Sequence, residues 1–185
     1  MPELILPLAV LAEIRDIVYA TDTETGVRLI GLANHGRYLV QHVIGPGPAA
    51  VEKRYAYACD NDFAEDRFNQ LLKDKPGLQF LGELHVHPDG YPCLSGHDRS
   101  TIAQVLEEYP EFIAGVMQRN PLRLYPYRFT KHSEEPMEVC FDLFPKPDRA
   151  RSIVEETRTG GGLWQRWLGR FRNARPCRNR KPDAG

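Results

Sequence analysis

The sequence lacks the features of several specialised protein classes. No apolar run approaches the roughly 20 residues that a membrane-spanning helix requires, so we expect no bilayer span. The apolar start of the chain has no basic segment and carries Glu3, Glu13 and Asp16, unlike a secretory signal peptide. We therefore read these residues as part of the mature fold. Separately, we expect no nucleic acid among the partners.

Cysteine is sparse and scattered. The four cysteines form no Cys-x-x-Cys pair, which argues against both a disulfide framework and a cysteine-based zinc site; they are Cys59, Cys93, Cys140 and Cys177. A reducing cytoplasm is the expected location.

The composition is that of a globular protein with a distinct C-terminal segment. With 185 residues, 42% hydrophobic and 26% charged, the chain can bury one core without help from metal or disulfides. We predict a folded domain at residues 1–147, a polar Gly-rich linker at 148–162 and a basic tail at 163–185. The tail holds seven Lys and Arg but one acidic residue, so the remainder of the chain is acidic.

The tail carries an apolar stripe at helical spacing with arginines beside it. The stripe consists of Leu163, Trp164, Trp167, Leu168 and Phe171. A basic amphipathic helix of this kind suits an anionic membrane surface or a partner protein, and the alternatives are a helix packed on its own domain or a disordered end.

The order of predicted elements indicates an α/β (α+β) fold, in which a mixed sheet is flanked by about three helices. The helices are predicted at 8–20, 61–75 and 95–109, the first with an apolar face formed by Leu8, Leu11, Ile14 and Val18. Strands are predicted at 3–7, on both sides of an Asn-His-Gly-Arg turn, at 78–87, and at three later segments between 111 and 145. One further strand is predicted to place Tyr55 and Tyr57 on one face.

The stretch HVHPDGYPCLSGHD, residues 85–98, combines two patterns that carry chemistry. Because side chains alternate along a strand, His85 and His87 share a face with Glu83 at the point where Pro88 ends the strand. Ser95 is a natural helix N-cap, and Asp98 falls in the first helical turn. Each pattern alone is most simply structural, as a capping box and a chance His-x-His, but together they offer two imidazoles and a carboxylate with a fourth position open, as in catalytic zinc sites.

This stretch resembles the JAMM signature of the JAB/MPN metalloprotease family, which is His-x-His-Pro, six residues, then Ser-x-x-Asp. The family's upstream Glu before a Gly-rich strand is matched by ETGVRLIG at residues 24–31. The resemblance runs over about residues 3–145 and is nearest to bacterial proteins that accompany ubiquitin-like conjugation. It implies a cytidine-deaminase-like arrangement of the sheet and helices.

The resemblance also implies roles for individual residues. His85, His87 and Asp98 would hold one zinc ion per chain, and Glu24 would take a proton from the attacking water. Ser95 would donate a hydrogen bond to the oxyanion of the attacked amide. Val86 stands where the family usually has Ser or Thr, but strand alternation turns it away from the metal.

Glu83 is the competing candidate for third ligand or base, because it lies on the same face as the histidines. The other nearby candidates have simpler explanations: His97 as a solvated residue, His35 and His42 as turn and strand residues, and Cys93 as loop packing.

The function that the resemblance implies is a zinc isopeptidase that acts at the C-terminus of a ubiquitin-like modifier, on conjugates or on a precursor. E1-like and E2-like proteins would be partners, and bacterial antiphage defence is one setting. Two alternatives stay open: a protease that processes a sulfur-carrier-type ubiquitin-like protein, and a noncatalytic MPN scaffold without metal.

Overall fold

Eight strands form one mixed sheet in the computed structural model, which describes residues 1–87 and 91–142. The predicted linker at 148–162, the tail at 163–185, the domain end at 147 and Pro88 lie outside the described residues. The elements are β1 (Glu3–Pro7), α1 (Leu8–Tyr19), β2 (Gly26–Asn34), β3 (Arg37–Ile44), β4 (Val51–Lys53), β5 (Ala56–Ala58), α2 (Asn61–Asp74), β6 (Gln79–Val86), α3 (Gly96–Val105), β7 (Glu111–Gln118), β8 (Arg123–Thr130), β9 (Glu134–Pro136) and β10 (Glu138–Asp142).

The strand order of the main sheet is β10-β1-β3-β2-β6-β7-β8-β9. The β1/β10, β1/β3 and β6/β7 pairs are parallel and the others are antiparallel, so the predicted mixed sheet is confirmed. A separate hairpin consists of β4 and β5. No helix in the described ranges combines the length and apolar character that crossing a bilayer requires.

The helices cover the two faces of the sheet and enclose two apolar clusters. One cluster joins α1 to the first face through Val10, Ile14 and Val18. The other joins α2 and α3 to the opposite face, where Phe68 and Ile102 pack against the strands. The three predicted helices are therefore confirmed, and they bury the apolar area that supplies most of the folding free energy.

Four details of the local predictions are wrong. The buried stripe of α1 is Val10, Ile14 and Val18, while Leu8 is 42% exposed, because the sheet contacts the i, i+4, i+8 row. The strand predicted through Tyr55 and Tyr57 is the β4/β5 hairpin, in which Tyr55 is exposed at the turn and Tyr57 is buried in β5. The short edge strand β9 was not predicted, and α3 ends at Val105 rather than just before Pro110.

A bulge at Gly82 decides which face of the sheet carries the histidines. Phe80 packs on the α2/α3 side of the sheet. If side chains alternated strictly along β6, Leu84 would lie on this same side. Leu84 instead packs on the α1 side, because the pairing between β2 and β6 shifts by one residue between Phe80 and Gly82. His85 consequently faces the α2/α3 side.

We expect Gly82→Ala to destabilise the fold by about 3 kcal/mol. Gly82 has φ +156°, and a Cβ there would lie 1.9 Å from the main-chain oxygen of Ile113. Urea unfolding measures the effect. Gly77→Ala is the matched control, because a Cβ at Gly77 meets nothing within 4 Å; equal stability of the two variants would contradict the prediction.

Candidate metal centre and active site

The two histidines lie where β6 ends. His85 pairs with Val116 of the parallel strand β7, and His87 follows Val86, the last residue of β6. The two rings are 4.8 Å apart between centroids, on the same face as predicted. Leu84 and Val86 are completely buried on the other face, so the strand cannot rotate without exposing them.

The first turn of α3 fixes the orientation of Asp98. The Asp98 N–H donates to Ser95 Oγ at 3.2 Å, and the Ser95 N–H donates to Asp98 Oδ2 at 2.6 Å, which together form a capping box. The predicted capping box of Ser95 and Asp98 is therefore confirmed. The same two hydrogen bonds orient the Asp98 carboxylate toward the two histidines.

The three donor groups have a spacing that suits zinc. His85 Nε2 and His87 Nε2 are 2.9 Å apart, Asp98 Oδ1 is 3.6 Å from His85 Nε2, and Asp98 Oδ2 is 3.5 Å from His87 Nε2. A tetrahedral ion with ligands at about 2.0 to 2.1 Å places its ligand atoms about 3.3 Å from one another. In the part of the chain that the structure describes, this is the one group of at least three His, Cys, Asp or Glu that could hold a metal. The ligand role itself stays a prediction.

The electrostatics of the group favour a bound cation. Burial acts to raise the pKa of Asp98, but hydrogen bonds with His85, His87 and Ser95 hold that pKa far below its usual range, so the carboxylate is ionised. Burial acts to lower the pKa of His85, but the hydrogen bond and charge of Asp98, followed by the charges of Glu83 and Glu24, raise it. The His85 imidazole thus lies in a negative field, which also favours a divalent cation at this position.

Glu24 reaches this group from the loop between α1 and β2. Its N–H donates to the Lys53 carbonyl at 3.1 Å, and the carbonyl of Thr25 accepts from the Val86 N–H at 2.8 Å. Gly26 pairs with His85, so continuing the antiparallel register places Glu24 opposite His87. Glu24 is 6% exposed and lines the same cavity as the histidines and Asp98.

Glu83 lies deeper along β6 and has a partner of its own. Its Oε2 is 3.6 Å from Nε of Arg28, whose side chain is 5% exposed. Arg28 also donates to Asn61 at the start of α2 and lies 6.0 Å from the Phe80 ring centroid. Glu83 thus balances a buried cation, whereas the strand register places Glu24 opposite His87. The assignment of Glu24 as the base stays a prediction.

The cavity beside the histidines has a volume of about 190 Å³ and runs between α3 and the sheet. Its polar lining includes Glu24, Ser95 and His97 besides the histidines and Asp98. The apolar lining residues include Phe80, Leu94, Ile102, Val105, Phe112 and Ala114. A concave site that combines apolar walls with convergent polar groups is typical of substrate-binding clefts.

Sequence reasoning missed Tyr57 as a wall of the site. Its ring covers Gly26, where a Cβ would come within 2.6 Å of Tyr57 Cε1. Burial, followed by the charge of Glu83, raises the pKa of Tyr57 well above its usual value. The only sequence signal was a Tyr two residues after another Tyr, and this pattern did not separate the exposed one from the buried one.

Most of the remaining candidates lie where simple explanations place them. His97 is exposed at the cavity wall, as expected of a solvated residue. Cys93 is an exposed thiol, so its prediction as a packed loop residue is wrong. His35 occupies the β2/β3 turn with φ +46°, and His42 Nε2 lies 3.3 Å from Lys75 Nζ.

If Ser95 donates to the attacked carbonyl, as the resemblance to the JAMM signature implies, Ser95→Ala should lower kcat by about 10² to 10³-fold, because it removes that donor. The lost cap costs about 1 kcal/mol of stability, but the main-chain N–H at position 95 still holds Asp98. Ser100→Ala is the control, since Ser100 is an exposed serine of the same helix that donates to Gly96 O. If kcat falls no further in Ser95→Ala than in this control, Ser95 has no role in catalysis.

The fold and site define a mixed α+β protein with a candidate metal centre at the end of the central strand β6, and a comparison with solved structures agrees with the fold. The chain matches the solution structure of protein DSY2949 from Desulfitobacterium hafniense with a TM-score of 0.61 and 16% identity, over 76% of this chain and 94% of that one. At this identity the likeness concerns the fold alone.

A curated sequence relative is a CD-NTase/cGAS isopeptidase of Escherichia coli strain TW11681. The two are 30% identical over 73 residues, which are 39% of this chain and 47% of the relative. The match thus spans less than half of the relative's length. No family model matches the chain.

Proposed function

We propose that this chain is a zinc-dependent isopeptidase of the JAMM type. It would hydrolyse the amide bond that joins the C-terminal carboxyl of a ubiquitin-like modifier to a lysine of a target, or the equivalent bond in a precursor. The observation that carries the proposal is the convergence of His85, His87 and Asp98, with Glu24 and Ser95, on one cavity. The name of the E. coli relative supports the reaction class.

The residues divide the work as follows. His85, His87 and Asp98 would hold zinc, which when bound acidifies a water molecule and polarises the amide carbonyl. Glu24 would accept the proton of the attacking water and pass it to the leaving lysine amine. The Ser95 hydroxyl would donate to the carbonyl oxygen as negative charge develops there, while its oxygen continues to accept from the Asp98 N–H.

The name of the same relative supports a proposed substrate class. A CD-NTase/cGAS isopeptidase is named for a nucleotidyltransferase-type target, so we propose modifier conjugates of such a target as the substrate, with bacterial antiphage defence as the setting. We extend this class to the present chain, with E1-like and E2-like proteins as the enzymes that form the conjugate.

The test uses the full chain and a panel of bacterial ubiquitin-like proteins, each joined by an isopeptide bond to a lysine peptide. We expect cleavage after the modifier C-terminus, loss of cleavage with 1,10-phenanthroline, and recovery when zinc is added back. Elemental analysis should give about one zinc per chain. Cleavage that resists the chelator, or zinc-replete protein that cleaves no member of the panel, would contradict the proposal.

A further inference from the structure

An arginine from a remote part of the chain holds the loop that carries Glu24. Arg119 directly follows the last residue of β7. Its Nε donates to the Val18 carbonyl at 3.0 Å, and its Nη1 donates to the Asp22 carbonyl at 3.5 Å. Its Nη2 donates to the carbonyl of Thr23, the residue before Glu24. All three nitrogens of the guanidinium are therefore used on main-chain oxygens.

These contacts fix the loop between two rigid elements. The Val18 carbonyl belongs to the last turn of α1, where carbonyls lack partners within the helix. Because the guanidinium is planar and its donors are fixed relative to one another, bonding the helix end and two loop carbonyls sets the position of the loop. The Tyr19 hydroxyl donates in return to the Arg119 carbonyl, which ties the end of β7 to the same helix.

Three successive residues of the loop are each anchored from a different strand or turn. Arg119 holds the carbonyl of Thr23, Lys53 accepts from the Glu24 N–H, and Val86 donates to the Thr25 carbonyl. The Val86 contact comes from the strand that carries the histidines, and Arg119 lies at the matching end of the neighbouring parallel strand. These contacts thus hold the loop in a fixed position relative to the strand ends that form the candidate metal centre.

We propose that Arg119 is a positioning residue that holds Glu24 in place for proton transfer, a role that rests on the function proposed above. Without the guanidinium, the main chain before Glu24 loses its donors, and the carboxylate is no longer confined to one geometry beside the histidines. A displacement of about 1 Å at a reacting group costs about 10²-fold in rate.

The kinetic test compares two variants, Arg119→Met and Arg123→Met. Arg123→Met is the matched control, because Arg123 is an exposed arginine of β8. We expect kcat to fall by about 10²-fold in Arg119→Met, with KM and the zinc content unchanged, because the ligands are held by other elements. Guanidinium ion should restore part of kcat in Arg119→Ala and nothing in Glu24→Gln. An unchanged kcat in Arg119→Met overturns the proposal.

A double-variant comparison separates positioning from general stability. If Arg119 acts through Glu24, Arg119→Met should cause no further loss in a Glu24→Gln background. The same fractional loss in both backgrounds overturns the proposal, because Arg119 would then support the fold at large.

Amide hydrogen exchange of the zinc-free protein tests the contact without any activity. Arg119→Met should speed exchange of the Glu24 amide, while the amides of β6 other than Val86, which donates to this loop, keep their wild-type rates. Unchanged Glu24 exchange overturns the proposal. If the wild-type protein shows no zinc-dependent hydrolysis, the proposed function fails, but the exchange result still decides whether Arg119 holds this loop.

Discussion

Replacing Glu24 by Gln is expected to lower turnover by about 10² to 10⁴-fold while the protein keeps its zinc. The amide has nearly the same shape as the carboxylate but cannot accept the proton of the attacking water, and general-base catalysis contributes about this much. Glu24 is buried at the cavity wall but does not belong to the group of donor atoms around His85. Steady-state hydrolysis with zinc analysis of the same preparation measures both quantities.

Glu83→Gln is the matched control, because it makes the same chemical change in the same cavity. It removes the negative partner of the buried Arg28 and is expected to cost about 1 to 3 kcal/mol of stability. Its turnover per folded, zinc-loaded molecule should stay close to that of the wild type. If instead Glu24→Gln is as active as the wild type and Glu83→Gln is inactive, Glu83 is the base.

Replacing His85 by Ala is expected to weaken zinc binding by at least about 10²-fold and to abolish hydrolysis. Loss of a direct ligand must cost at least as much as loss of a group that only orients a ligand, which costs about 10 to 100-fold. Asp98→Ala should behave in the same way, since its carboxylate lies between the two imidazoles. Isothermal titration of the zinc-free protein with zinc chloride gives the affinity.

His97→Ala is the control for this prediction, because His97 is an exposed histidine at the wall of the same cavity. It should bind zinc as the wild type does. Zinc should also raise the midpoint of thermal unfolding in the wild type and in His97→Ala, but not in His85→Ala, because an ion that binds only the folded state stabilises it. An equal zinc affinity in His85→Ala and the wild type would contradict the prediction that His85 is a zinc ligand.

The core of the candidate site was predictable from sequence because it depends on local rules. Alternation along a strand puts His85 and His87 on one face, and a serine three residues before an aspartate predicts a helix cap. Both rules act over a few residues, so no knowledge of distant contacts was needed. The apolar face of α1 was mispredicted for the opposite reason: two overlapping rows of apolar residues are available, and only packing against the sheet selects Val10, Ile14 and Val18.

The three helices, most strands of the sheet, the shared face of His85 and His87 and the cap at Ser95 were determined by the sequence itself, since hydrophobic period and capping residues act locally. Only the tertiary structure decided that the bulge at Gly82 turns the histidines toward α3, and that Arg119 holds the loop of Glu24 beside them. These features depend on contacts between residues far apart in the chain, whose pairing is selected by the packing of the whole sheet rather than by any neighbouring residues.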